Sequence, residues 1–239
     1  PGSRTALGPM SGCADALCIA ELARDRLLVV VTADTTSALA LERELPFFLQ
    51  RPTEILHFPD WETLPYDNFS PHQDIVSERL HTLYRLGALS SGILIVPVST
   101  LMHRLAPKEY VSGSSLVLEA GQKLDPAQFR TNLDRNGYFD PQTQLTVDKV
   151  EAINLLPARE YPLNKGAIQH FQMAWYAAFD SDPDQCSVFT EVSAGRSPGG
   201  CEYYLPLFFD HCATLFDYLP ADAAIVTTGD HHAAAEHFW

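Results

Sequence analysis

Residues 26–33, RLLVVVTA, form an apolar run without polar alternation. A strand with one wet face alternates. A strand covered on both faces does not, so this run reads as the centre of a parallel sheet. A parallel sheet needs helices on its faces and crossover connections, which places the chain in the α/β class. Residues 92–98, GILIVPV, give a second such strand, with Pro97 near its end, where a missing donor matters less. Residues 54–58, EILHF, give a third and shorter one, stopped by Pro59. Thr35 or Thr36 is placed to cap a helix carrying Leu39, Leu41, Leu45 and Phe48, with Pro46 near its last turns. Ser70-Pro71 reads as another helix start, a capping oxygen followed by proline. Ile75, Leu80, Leu83 and Leu86 share one face of that helix, expected to lie against the parallel sheet, and Gly87 stops it. Asp74 and Glu78 come early, Arg79 and Arg85 late, in the order the helix dipole favours. Residues 61–69 read as a long ordered loop, and Trp61 there reads as a packing residue before a ligand contact.

The rest of the chain is less regular. Residues 115–118 form a short strand, and Asp125-Pro126 opens a helix running to about Asn136, closed by Gly137. One strand and one helix do not make a core. Either this piece packs on a neighbour, or residues are missing between Tyr138 and Phe139. Residues 150–155 read as a strand. Asn164 caps a helix with an apolar stripe of Ile168, Phe171, Trp175 and Phe179. Residues 203–209 are aromatic and expected to be buried. Residues 223–227, AAIVT, are a strand, and a helix begins at His231. The absence of an initial Met and the ending HFW are expected of a fragment.

Composition removes several classes. With 46% apolar and 19% charged residues, a chain of 239 residues is expected to fold and to be soluble. No apolar run reaches the ~18 residues of a membrane span. A net charge of -14, from 30 acids against 16 Lys and Arg, argues against a chain built mainly to hold nucleic-acid phosphates. The cysteines Cys13, Cys18, Cys186, Cys201 and Cys212 form no Cys-x-x-Cys pair and read as reduced thiols of a cytosolic protein.

Candidate chemistry begins at residues 8–14, GPMSGCA. A phosphate loop ends in Gly-Lys-Ser/Thr, with the lysine on the β and γ phosphates and the hydroxyl on magnesium. Gly8 and Gly12 are present, but Cys13 and Ala14 fill the lysine and hydroxyl slots. The segment reads as a degenerate relic or an ordinary turn opening a helix over residues 14–24, without catalytic, cofactor-binding or metal-binding residues. His231, His232 and His237, with Asp230 or Glu236, match no metal spacing and read as surface groups. Cys201 and Cys212 are too far apart in sequence to argue a pair. Asp60, Glu62 and Asp67 form a small acidic group with no histidine or pocket evident beside it. Arg79, Arg85, His103 and Arg104 make no basic stripe, and surface or salt-bridge roles are favoured.

Residues 58–80, FPDWETLPYDNFSPHQDIVSERL, resemble the transcription-repair coupling factor family. So do residues 93–105, 150–162 (VEAINLLPAREYP) and 203–209 (YYLPLFF), and the likeness runs through loops as well as strands. The resemblance implies the N-terminal module of such a factor, itself similar to the excision-repair protein UvrB. It implies a RecA-like (P-loop NTPase-like) parallel-sheet domain with a degenerate phosphate loop over residues 1–111. A small α+β second domain would begin at residues 112–138, and a further α/β subdomain would occupy residues 139–239. In the family, several dozen residues separate the pairs matching Gly137-Tyr138 and Phe139-Asp140. They include most of the UvrA-facing surface, so no UvrA-contact residue is assigned here. The implied role is non-catalytic: to recruit UvrA to RNA polymerase stalled at a lesion and to restrain a downstream translocase. That motor uses ATP and magnesium and acts on double-stranded DNA beyond this chain. Two readings stand beside it, an ATP-binding or hydrolysing UvrB-like domain and a DNA-binding one. A monomeric fragment in the bacterial cytoplasm, with no membrane partner, is expected.

Overall fold

The computed structural model describes residues 5–8, 10–65, 67–119, 152–180 and 182–236. They divide into two compact units, each discontinuous in sequence.

The first unit comprises residues 1–60, 88–101 and 220–239. Helix α1 (Ala14–Leu22) precedes strand β1 (Leu27–Thr32), helix α2 (Thr35–Phe48) and strand β2 (Ile55–His57). Every residue of β1 is buried, as the lack of alternation requires of a strand covered on both faces. It pairs in parallel with Gly92–Pro97, in register from Leu27 opposite Gly92 to Thr32 opposite Pro97. Pro97 thus falls on the last pair, where its missing N–H interrupts nothing further along. The short β2 adds to the outer edge of that strand, Ile55 opposite Ile93. Ala224–Thr227, near the end of the chain, closes the other side of β1, Leu28 opposite Ala224. The sheet therefore has four parallel strands. One face is covered by Ala16, Ile19, Ala20 and Ala23 from α1 and by Ala38, Leu41 and Leu45 from α2. These spacings of three and four residues put the small side chains of α1 on one stripe, which lets the helix approach closely.

The cap of α2 is Asp34, whose carboxylate accepts from Ser37 N–H at 2.7 Å. This replaces Thr35 or Thr36 as the expected cap, and both threonines lie inside the first turn. The helix continues through Pro46 to Phe48, with Leu39 on its exposed side.

The second unit comprises residues 61–87 and 102–219. Helix α3 (Gln73–Leu86) belongs to it, and strand β3 (Gly92–Pro97) and helix α4 (Val98–Leu101) of the first unit follow in sequence. Helix α5 (Lys108–Gly113) leads into strand β4 (Leu116–Glu119), which pairs antiparallel with β5 (Ala152–Leu155). That ladder gives the isolated strand of residues 115–118 its partner. The helix expected over residues 125–136, and the Tyr138–Phe139 junction, lie outside the described residues. Helix α6 (Lys165–Ala178) is capped by Asn164, which accepts from Ala167 N–H at 3.0 Å. Helix α7 (Ser187–Ser193), a 3₁₀ segment (Cys201–Phe208) and helix α8 (Leu215–Tyr218) complete the unit. Strand β6 (Ala224–Thr227) and helix α9 (His231–Glu236) belong to the first unit.

The start of α3 differs from the sequence expectation. Its cap is His72, whose Nδ1 accepts from Asp74 N–H at 3.3 Å, while Ser70 Oγ donates to Glu202 at 3.0 Å. A tertiary carboxylate has taken the hydroxyl that local sequence would assign to capping. Leu80, Leu83 and Leu86 are buried, joined by Val76 and Arg79, and Ile75 is half-buried. The core of the unit is aromatic, with Tyr161, Phe171, Trp175, Phe189 and Phe208 around Val192 and Cys201.

Candidate functional site

Open parallel sheets place ligands outside the carboxyl ends of their strands. Here that edge is formed by Asp34 after β1, Asp60 after β2, Ser99 and Thr100 after β3, and Asp230 after β6. Each acid is engaged. Asp34 caps α2, and the Ser37 N–H holds its carboxyl below the usual range. Asp60 accepts from Ser99 Oγ at 2.6 Å and from Thr100 Oγ1 at 3.1 Å. Asp230 accepts from Ala233 N–H at 3.2 Å at the start of α9. Residues 33–37, 58–60, 98–101 and 228–232, which directly follow these strands, carry no lysine or arginine. The edge is thus acidic and self-capped, the reverse of a phosphate cradle.

Gly12 and Cys13 open α1. Gly12 has φ +63 and Cys13 is the exposed cap, with no side-chain hydrogen bond to the helix. The negative charge of Glu44, with smaller effects from burial, a hydrogen bond to Glu44 and the charge of Asp15, pushes the Cys13 thiol up. The carboxylates at this helix start would repel the phosphate that a lysine here would attract. At the other end of the unit, a cavity of about 310 Å³ is lined by Arg24, Arg51, Gln50, Thr53 and Phe48. Arg51 Nη2 contacts the Arg24 carbonyl at 3.5 Å and Arg24 pairs with Glu21, so these guanidiniums sit where α1 and α2 present their carbonyl ends.

In the second unit, residues 61–70 are fastened by a buried polar and aromatic network. Glu160 lies under Arg79, accepting from Nε at 2.6 Å and Nη2 at 3.3 Å. Its Oε1 also accepts from Trp61 Nε1 at 3.0 Å. The Arg79 guanidinium lies 5.0 Å from the Trp61 ring centroid. His103 stacks on the same indole at 4.5 Å, and Tyr203 meets it edge-on at 5.2 Å. Tyr203 OH donates to the Thr63 carbonyl at 2.6 Å. Ser70 meets Glu202, whose carboxyl is raised chiefly by burial. Backbone complements side chain, because a Cβ on Gly199 would come within 2.1 Å of the Asn68 carbonyl, and one on Gly200 within 2.0 Å of Asp67. Gly200 also has φ +75. Only glycine allows the two stretches to touch.

The candidates raised by sequence therefore separate. Arg79 is fully buried and is withdrawn from any nucleic-acid surface, His103 is stacked, and Arg104 is exposed. His231 and His232 stand 4.4 Å apart on α9, and His237 lies outside the described residues. Among the described residues, no group of three or more His, Cys, Asp and Glu is placed to hold a metal ion. All five thiols are free. Burial pushes the Cys201 thiol up to about 12 and raises that of Cys212. Among the described residues, no helix is long and apolar enough to cross a membrane. Sequence reasoning did not single out Glu160, Glu202 or the Gly199-Gly200 pair. A carboxylate flanked by Arg159 and Tyr161 was the available signal for Glu160, but nothing local connects it to an arginine 81 residues away.

Residues 58–80, 150–162 and 203–209, which carry the family resemblance, meet in this network through Trp61, Arg79, Glu160 and Tyr203. No family model matches the sequence. It is 37% identical over 284 residues to the transcription-repair-coupling factor of Escherichia coli (strain K12), across 99% of this chain and 25% of that protein. This chain is a homologue of the transcription-repair-coupling factors. The factor of Haemophilus influenzae (strain ATCC 51907 / DSM 11121 / KW20 / Rd) is 34% identical over 288 residues, 100% of this chain and 25% of that protein. That of Myxococcus xanthus is 28% identical over 247 residues, 80% of this chain and 21% of that protein. The chain thus spans about a quarter of the length of the Escherichia coli and Haemophilus influenzae relatives. The match to the Escherichia coli transcription-repair-coupling factor runs over 284 residues against 239 in this chain, so across the match that factor has at least 45 residues without a counterpart in this chain.

Proposed function

We propose that this chain is the non-catalytic, UvrB-like N-terminal module of a transcription-repair coupling factor, acting in the cytoplasm. Its job is recruitment: it brings UvrA to RNA polymerase stalled at a lesion and restrains the downstream DNA translocase by docking against it. The observation that carries the non-catalytic part is the acidic carboxyl edge of the parallel sheet, together with Cys13 and Ala14 at the start of α1. The reading takes the first unit as RecA-like with a degenerate phosphate loop. Residues 1–111, 112–138 and 139–239 are its proposed domain segments. ATP and magnesium belong to the motor further along the parent protein, as do the contacts with RNA polymerase and double-stranded DNA.

Two experiments test this. Titration calorimetry of the chain with magnesium-ATP is expected to give no heat of binding, and a low-micromolar dissociation constant would favour an ATP-binding UvrB-like domain instead. The second compares immobilised UvrA against two polypeptides. One is the present chain, and the other carries a second-domain segment of a transcription-repair-coupling factor inserted between Tyr138 and Phe139. Only the longer polypeptide is expected to bind, because the second domain presents the UvrA surface in this reading. Equal binding would move the contact onto residues present here.

A further inference from the structure

Helix α6 buries Phe171 and Trp175 in the aromatic core and turns Met173 and Tyr176 outward, 73% and 64% exposed. Phe179 at its end is 40% exposed. Tyr176 is held at its base by an edge-on contact with Phe189 at 5.6 Å. Met173 and Tyr176, three residues apart, share one side of the helix. Large exposed apolar side chains that are contiguous mark interaction sites, and methionine and tyrosine are enriched in interface cores.

The charge along this part of the chain is one-sided. No lysine or arginine occurs between Lys165 and Arg196, whereas Asp180 and Asp182 do, and Asp182 accepts from Gln185 Nε2 at 3.3 Å. Arg196 is taken up by Glu191 through hydrogen bonds of 2.5 and 2.7 Å. Helix α6 has no basic residue in its last turn, so the partial negative charge of its carbonyl end is not offset from within the helix. Exposed Asp180 follows directly and adds a full negative charge.

We propose that this face docks a basic amphipathic segment of a partner protein. An apolar side chain of the partner packs on Met173 and Tyr176, and a lysine or arginine reaches Asp180, Asp182 and the carbonyl end of α6. The pliable thioether of Met173 adapts to the apolar side chain, and the carboxylates select against acidic segments. This surface is separate from the second-domain contact proposed above and stands or falls without it.

The probe is a synthetic amphipathic helix of leucine and lysine, with a leucine–glutamate helix of the same pattern as control. The protein has three methionines, Met10, Met102 and Met173, so methyl-¹³C labelling gives one reporter inside the face and two outside. The Met173 signal is expected to shift saturably with the lysine peptide, while Met10 and Met102 stay in place and the glutamate peptide does nothing. Asp180→Asn combined with Asp182→Asn should weaken binding about 3- to 10-fold, as loss of two exposed ion pairs implies. Tyr176→Ser, at an exposed position, should weaken it without shifting the thermal midpoint. No shift at Met173, equal shifts at all three methionines, or equal binding of the glutamate peptide would overturn the proposal.

Discussion

Removing Glu160 tests whether the Trp61–Arg79 network holds the second unit together. Arg79 and the Glu160 carboxylate are 0% and 1% exposed, so water cannot replace the missing charge in Glu160→Ala. Two unit charges about 4 Å apart at an effective dielectric of about 20 attract by about 4 kcal/mol. Removal of one partner of a buried pair typically costs about 3–5 kcal/mol, because the other charge stays behind. The Trp61 indole N–H loses its Glu160 acceptor as well, which places the expected loss in the upper part of that range. Against a total stability of about 5–15 kcal/mol, such a loss is a large fraction of the whole. The pair itself is a different quantity. Arg79→Met with Glu160→Leu removes both charges and refills the volume, which is close to neutral, and should cost only the roughly 1–3 kcal/mol of the Trp61 N–H left without its Glu160 acceptor. Urea unfolding at pH 7, followed by tryptophan fluorescence, suits the measurement because Trp61 and Trp175 both belong to this unit. Extrapolated stabilities are compared at a shared slope. A loss below about 1 kcal/mol for Glu160→Ala, or a double variant as damaged as the single one, would refute the reasoning on which those figures rest.

Three further outcomes follow from the same unit. Leu83→Ala should destabilise by roughly 2–5 kcal/mol in denaturant unfolding, since Leu83 is 2% exposed and its removal leaves a cavity. Gly199→Ala should cost about 2–4 kcal/mol in the same assay, because its Cβ would meet the Asn68 carbonyl at 2.1 Å and backbone must move. Glu202 has a raised carboxyl, so folding favours its neutral form. Its contribution is complete below the unfolded carboxyl range and is lost as pH rises through the folded value. Glu202→Gln should therefore match the parent in acid and surpass it toward neutral pH, which paired unfolding curves between pH 4 and pH 8 would reveal.

Much of this protein is written locally. The two unbroken apolar runs fixed β1 and β3, Asn164 capped α6 as its position suggests, and Gly87 ended α3. The occupants of the phosphate-loop slots, Cys13 and Ala14, are likewise visible without a structure. These features depend on neighbours within a turn or on strand period, which sequence order displays. The rest needed the fold. Ala224–Thr227 joins β1, far back in the chain, and no local pattern names the partner of an apolar strand. Ser70 reads as a cap but spends its hydroxyl on Glu202, 132 residues away. Arg79 sits on a helix in the dipole-favoured place for a surface cation, yet it is buried, because Glu160 and the Trp61 ring compensate it there. Hydrophobic period and capping propensity are short-range energies that the sequence carries on its face. Which polar groups meet in the interior is decided by how distant segments pack, since burial of a charge is tolerated only where its partner arrives with it.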